Sequence, residues 1–300
     1  MPYDVDVLIV GGGPVGLTLA HLLDRSGIAA RVVESEAAVS RDLRASTFHP
    51  PTLDMLDRIG LGAALVARGL VCPHWQIRMH PTGERAVFDM GVLAPHTAHP
   101  YRLQCEQWKL SEAVLERLPA GLVRFGATLA GLHQDETGVT ATIATAGGEE
   151  RVRARFLVGA DGARSAVRKL VGAAFDGETY PETTLLATTR FPFEDHLEGL
   201  SNVTYCWKDG GNFSLLKVPG RWRVSIYPRE DLPIEEQLAP AGIEAAMQAI
   251  VPRAEPHEVL ETRAYRVHQR IVETYVHGRV LLAGDAAHLN SPAGGMGLNG

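Results

Sequence analysis

The clearest hydrophobic pattern in this chain is an apolar run, Val5 to Val10, that ends in three glycines. Short runs of this kind form strands buried on both faces of a parallel sheet. From Val15 to Ser26 the spacing becomes helical, with Leu17, Leu19, Ala20, Leu22 and Leu23 apolar and Gly27 placed to stop the helix. Ala29 to Val33 is a second short run and closes at Glu34. These segments predict a βαβ unit. Helical patterns recur over Thr52 to Ile59 and Gln107 to Leu118, and between them Trp75 to His80 and Arg85 to Met90 read as strands joined by Pro81-Thr82-Gly83-Glu84. Val139 to Thr145 and Arg151 to Val158 predict a hairpin across Gly147-Gly148.

From about Tyr180 the pattern turns antiparallel. Asn202 to Tyr205, Phe213 to Val218 and Trp222 to Tyr227 alternate as strands with glycine turns between them, and Ile243 to Val251 follows as a helix. Pro95, Pro100 and Pro181 flank the points where the chain changes character. The expected organisation is α/β. A discontinuous dinucleotide domain takes residues 1–72, 101–179 and 271–300, and a β-rich second domain takes 73–100 and 180–270. The chain stops at Gly300 within a glycine-rich segment that reads like the approach to a helix, so it is expected to be a fragment of a longer one.

Composition narrows the function classes. Apolar residues at 45% and charged residues at 21% suit a core-forming globular protein, and a net charge of −6 gives no reason to expect nucleic acid or an acidic membrane as partner. Val5 to Val10 is too short to span a bilayer and lacks the flanks of a signal peptide. Cys72, Cys105 and Cys206 are widely spaced, which suits idle thiols in a reducing cytoplasm better than a disulfide framework or zinc site. The histidines form no ligand pair, and no Gly-x-Ser-x-Gly elbow is present, so neither metal nor hydrolase chemistry is supported.

Chemistry concentrates in three segments. The first is Gly11-Gly12-Gly13-Pro14-Val15-Gly16, between a strand and a helix. There Gly11 permits the turn, Gly13 lets a pyrophosphate approach the backbone, and Gly16 lets helix and strand pack closely. The helix N-terminus adds N–H donors and a positive dipole end. Glu34, eighteen residues beyond Gly16, is placed to accept from a ribose 2′-hydroxyl and would repel a 2′-phosphate. The second segment is Gly159-Ala160-Asp161-Gly162-Ala163-Arg164-Ser165, leading from a strand into a helix over Ser165 to Val171. Arg164 and Arg168 lie about one turn apart there, where they could meet a phosphate but read more simply as a solvated face. The third is Gly284-Asp285-Ala286-Ala287-His288, after the strand Val280 to Ala283.

In this order and at these separations the three segments resemble the flavoprotein aromatic-ring hydroxylases, the single-component FAD monooxygenases typified by p-hydroxybenzoate hydroxylase. The resemblance covers nearly the whole chain and implies a doubly wound FAD-binding domain with a β-rich substrate domain. It implies that Asp161 and Gly162 help bind the flavin and pyridine nucleotide, and that Gly284 and Asp285 meet the ribityl chain. Pro292, Gly297, Leu298 and Asn299 match the loop that brings backbone N–H groups to the flavin's pyrimidine edge, with Met296 where the family often has Gln. Arg44, before His49-Pro50, matches an arginine that reaches FAD, and Gln104 matches a glutamine at the flavin moiety. The implied reaction is hydroxylation of a phenolic or polyketide-like ring with O₂ and NADPH or NADH through a flavin C4a-hydroperoxide. Tyr205 and Tyr227 are guesses for a substrate-activating base, without motif support.

Alternatives share the same motifs. A flavin-dependent halogenase or reductase, or a non-catalytic flavin-binding redox sensor, would keep the glycines. Trp222 to Pro228 is faintly similar to a halogenase signature, but the spacing differs and the second tryptophan is missing. Alternation of Trp222, Val224 and Ile226 on one face of a strand explains that segment better.

Overall fold

Val5–Val10 and Ala30–Glu34 pair in parallel, joined by the helix Pro14–Arg25, in the computed structural model, which describes residues 2–42, 45–229, 231–291 and 293–299. Leu8 and Ile9 point to opposite faces of the strand and both are fully buried, which is why this run carries no polar alternation. The chain divides into two compact units. The first takes residues 1–42, 107–178 and 268–291; the second takes 43–106, 179–267 and 292–300. The second unit therefore includes residues 43–72, 101–106 and 292–300, which the sequence reading places with the dinucleotide domain, while 268–270 fall in the first unit.

In the first unit, Val5–Val10 lies between Ala30–Glu34 and Gly148–Gly159, and both pairings are parallel. Val123–Phe125 and Val280–Leu282 extend the parallel set outward on the two sides. The hairpin of Val139–Thr145 with Gly148–Gly159 is present, and Ala127–Gln134 adds a further antiparallel strand to it. That strand, ATLAGLHQ, carries Gly131, and its pairing shifts register beside Thr142 and Ile143, so its alternation is weak in the sequence.

The second unit is built on an antiparallel sheet. Arg221–Ile226 pairs with Phe213–Val218 and with residues 185–189 of the strand Asp176–Thr189. Phe213–Val218 pairs with Val203–Trp207, which runs parallel to His74–Met79, itself in a hairpin with Arg85–Asp89. One face of this sheet, bearing Ala187, Trp222, Val224, Leu215, Phe213 and Cys206, packs with Ile243 and Met247 of the helix Pro240–Gln248 into a buried core. Alternation therefore sends Arg221, Arg223, Tyr205 and Trp75 to the opposite face. A small sheet of Thr47–Phe48, Arg102–Gln104 and Leu70–Cys72 completes the unit. The long strands Asp176–Thr189 and Glu261–Ile271 were not expected from sequence, because both are rich in polar and charged residues and the one apolar run in them, Leu185-Leu186-Ala187, is only three residues long.

Candidate active site

The first unit brings the three motif segments together. A Cβ on Gly11 would lie 2.2 Å from the carbonyl oxygen of Ala160, so the first and second segments touch through backbone alone. Gly11 also has φ +111°, which side-chain-bearing residues rarely adopt. A Cβ on Gly16 would meet the Gly11 oxygen at 2.0 Å, which fixes the helix close to the strand. A Cβ on Gly284 would lie 2.7 Å from Val15, so the third segment rests on the first turn of the same helix. At Gly13 the space is open, with no atom within 4 Å of an added Cβ.

That opening faces an uncapped helix start. Gly13 is the N-cap of Pro14–Arg25 and no side chain caps it. The first-turn N–H groups therefore have no partner within the helix, and Pro14 removes one donor that would otherwise be orphaned. Glu34 is held rigidly beside them. Its Oε2 accepts from the Gly12 N–H at 2.5 Å, and its Oε1 accepts from the Glu36 N–H at 2.9 Å and the Ser35 hydroxyl at 3.1 Å. A helix dipole end, an open glycine and a fixed carboxylate form a cradle that fits the pyrophosphate and ribose of a dinucleotide.

The second and third segments are tied by a residue the sequence reading placed on a solvated face. Arg168 is buried, at 6% exposure. It donates from Nη1 to the Ala286 carbonyl at 3.0 Å and from Nη2 to the Ala163 carbonyl at 2.8 Å, and its guanidinium lies 3.8 Å from the Phe175 ring centroid. The correction has a simple cause. The helix is short, Ala166–Leu170, and its inward side meets the turn Gly284–Ala286 rather than water. Arg164 does stay exposed. Asp161 turns its carboxylate onto its own segment, accepting from the Ser165 hydroxyl at 2.5 Å and from the Ala166 and Val167 N–H groups at 2.7 and 3.1 Å. Gly162 follows it with φ +76°. Asp285 is exposed on the 3₁₀ turn that Arg168 supports.

In the second unit Asn299 makes four side-chain hydrogen bonds. Its Oδ1 accepts from the His49 N–H at 2.9 Å and the Thr52 hydroxyl at 2.8 Å, while its Nδ2 donates to the carbonyls of Thr47 at 2.8 Å and Gly295 at 2.6 Å. The Asn299 N–H itself donates to Met296 O at 3.0 Å, within the 3₁₀ turn Ala293–Leu298 that contains Gly297 and Leu298. Gln104 is fully buried, donating to the Thr47 hydroxyl at 2.9 Å and accepting from the Ser46 hydroxyl at 3.4 Å. A cavity of about 450 Å³ opens beside Asn299, lined by residues including His49, Thr52, Leu93 and Met296. Arg44 and Pro292 lie outside the described residues.

The sheet face opposite the apolar core carries an aromatic patch with cations on it. Trp75 and Phe88 stack at 4.0 Å, and the Arg102 guanidinium sits 4.5 Å from the Trp75 centroid. Arg102 Nη1 donates to the Tyr205 hydroxyl at 3.4 Å. Tyr227 is half exposed. Arg102 and Arg223 escaped the sequence reading, although the alternation that buries Trp222 and Val224 already sends Arg223 to the other face.

Residues 4–300 match the model of the FAD-binding domain family. The chain belongs to that family. This flavoprotein is 36% identical to para-nitrophenol 4-monooxygenase of Pseudomonas sp. strain WBC-3, over 98% of this chain and 74% of that protein. Its fold matches the crystal structure of p-nitrophenol 4-monooxygenase from Pseudomonas putida with a TM-score of 0.91 and 34% identity, covering 99% of this chain and 76% of the other. Aklavinone-11 hydroxylase, solved with FAD and aklavinone, matches with a TM-score of 0.86 and 28% identity, over 100% of this chain and 60% of that one. Its place is among the flavin-dependent aromatic-ring hydroxylases, with an FAD-binding domain and a substrate domain. No helix among the described residues is long and apolar enough to cross a membrane.

Proposed function

We propose that this flavoprotein hydroxylates a phenolic ring, with NAD(P)H as hydride donor and O₂ as oxidant. The observation that carries the reading is the convergence of Gly11, Val15, Ala160 and Gly284 around an open Gly13 and a fixed Glu34, in a chain whose relatives are aromatic-ring monooxygenases. When bound, FAD supplies the hydride acceptor and the oxygen-transferring centre, so the protein needs neither a metal nor a nucleophile of its own.

What the chain supplies is binding, orientation and exclusion of water. The first turn of Pro14–Arg25 offers N–H donors to the pyrophosphate, and Glu34 accepts from the adenosine ribose while its charge disfavours a 2′-phosphate there. Asp285 accepts from the ribityl hydroxyls. Gly297, Leu298 and Asn299 form the expected flavin-side loop, with Asn299 bracing it on Thr47, His49 and Thr52 through its side chain. Leu298 is the backbone donor of that loop, because the Asn299 N–H is spent on Met296. Gln104 acts by bracing the same strand at Thr47, and Asp161 by capping the helix that carries Arg168. The ring lies against the sheet face of Trp75, Tyr205 and Arg102, where an electron-rich aromatic finds stacking surface and a cation.

The test is a screen of phenols with purified protein and FAD, following NAD(P)H oxidation, O₂ uptake and product mass. A product heavier by one oxygen atom supports the reading. Halogenation that depends on added halide, or flavin binding without phenol-stimulated O₂ uptake, would overturn it in favour of a halogenase or a sensor.

A further inference from the structure

The sheet of the second unit ends at Arg85–Asp89, and among the described residues no strand pairs with its outer side. On its inner side it forms the hairpin with His74–Met79. The hydrogen bonds that bracket this hairpin fix which backbone groups look outward. Met79 N–H donates to the Glu84 carbonyl and Met90 N–H to the Pro73 carbonyl, both at 2.8 Å. Opposed residues in an antiparallel ladder alternate between exchanging both bonds and exchanging none. Glu84, Ala86, Phe88 and Met90 therefore bond inward, and Arg85, Val87 and Asp89 turn their N–H and C=O groups away from the sheet.

Such an edge is a template for another strand, and proteins guard it with central charges, proline or a bulge. Here the three middle residues are Ala86, Val87 and Phe88, which provide no such guard. Val87 is 52% exposed and Phe88 40%, and Val92, just beyond, is 73% exposed. The two charges are opposite in sign and sit symmetrically about Val87. An antiparallel copy of the same strand, centred on Val87, sets Arg85 against Asp89 at both ends and matches the outward-bonding residues with one another. A shift of one residue opposes outward-bonding groups to inward ones, and a shift of two sets a charge against Val87. Both charged groups have capacity for a partner. Asp89 uses Oδ1 to accept from the Gly91 N–H at 2.7 Å, with His74 Nε2 3.6 Å from the same oxygen. The Arg85 guanidinium makes one hydrogen bond among the described residues, to the Gly83 carbonyl at 3.4 Å.

We infer that this edge is a self-pairing surface. Two copies of the chain join through Arg85–Asp89 about a two-fold axis at Val87, so that the sheet of one protomer continues into its partner. Arg85, Val87 and Asp89 exchange backbone bonds across the axis, and Val87 and Phe88 are covered on opposite faces of the joined sheet. A strand pairing is smaller than a permanent interface, so the dimer is reversible and depends on concentration.

Sedimentation velocity of the FAD-loaded protein over a concentration series is the test. Wild type should pass from monomer to dimer as concentration rises. Arg85→Asp leaves carboxylates at both ends of the strand, and Asp89→Arg leaves guanidinium groups at both. Each alone should weaken the dimer about ten- to a hundred-fold, because like charges then stand opposite. Mixed in equal amounts the two variants are complementary at both ends, and dimer should return at close to the wild-type Kd. Circular dichroism and FAD content check that both fold. If either does not, Val87→Lys, which meets its own charge on the axis, should give the same weakening. Val87→Cys should form a disulfide-linked dimer under mild oxidation, since Cα atoms of such a pair lie about 5.5 Å apart. The native Cys72, Cys105 and Cys206 are buried and do not compete. Wild type that stays monomeric throughout overturns the inference. So does a dimer that neither swap weakens, or one that the mixture of the two variants fails to restore.

Discussion

Arg168 and Ala286 lie 118 residues apart in the chain and are joined by a 3.0 Å hydrogen bond from the guanidinium to the carbonyl. The same side chain holds Ala163 at 2.8 Å, so one buried cation fastens the second motif segment to the third. Asp285, the residue expected at the ribityl chain, stands on the turn this bond supports.

Arg168→Met should therefore cost stability and cofactor together. It leaves two carbonyls without their donors, a loss of about 2–4 kcal/mol by the usual worth of charge-assisted bonds. Urea unfolding and FAD content after gel filtration are the measurements. An unchanged midpoint with full FAD would show that the bond does not hold the turn.

Glu34→Ala should weaken FAD binding by about ten- to a hundred-fold, since it removes a charge-assisted acceptor and frees the Gly12 N–H it fixes. Glu34→Gln should fall between the two, keeping an oxygen but losing the charge. Titration of apoprotein with FAD decides it. Equal affinity in wild type and Glu34→Ala would remove Glu34 from the site.

At Asn299 the two ends of the amide are distinguishable. Asn299→Ala loses both donors and both acceptors and should destabilise the protein by about 2–4 kcal/mol in urea. Asn299→Asp keeps the acceptor for His49 and Thr52 but turns an oxygen towards the carbonyls of Thr47 and Gly295. It should be no more stable than the alanine variant. A wild-type-like aspartate variant would mean that the Nδ2 bonds contribute nothing.

Burial pushes the thiols of Cys72 and Cys206 up, from 9.0 to about 11 and about 12. At pH 8 roughly one Cys72 in a thousand is then a thiolate. Both should resist alkylation in the native protein and react after denaturation, read by mass spectrometry. Because folding raises both values, the neutral thiols' contribution to stability is intact below the ordinary value of 9.0 and is lost as pH rises towards about 11 and about 12. Rapid native labelling at pH 8 would contradict this burial.

Much of the first unit was legible in sequence because its signals are local. A glycine-ended apolar run, a helical repeat and a closing acid lie within residues 5–34, and each depends on neighbours a few positions away. The family resemblance was legible for the same reason, since its motifs are short segments with fixed internal spacing. The alternation of Trp222 and Val224 likewise identified a one-sided strand from six residues. Tertiary structure decided what those residues meet. Nothing in the segment around Arg168 says that its outward-reading helix face is covered by a turn more than a hundred residues away. The carboxylate of Asp161 and the amide of Gln104 could have faced a ligand or their own backbone, and the choice falls to Ala166, Val167, Ser46 and Thr47. Strands such as Glu261–Ile271, with no apolar run of their own, take their conformation from the sheets they join. Local patterning set which elements form, and long-range packing set which polar groups are spent on the fold.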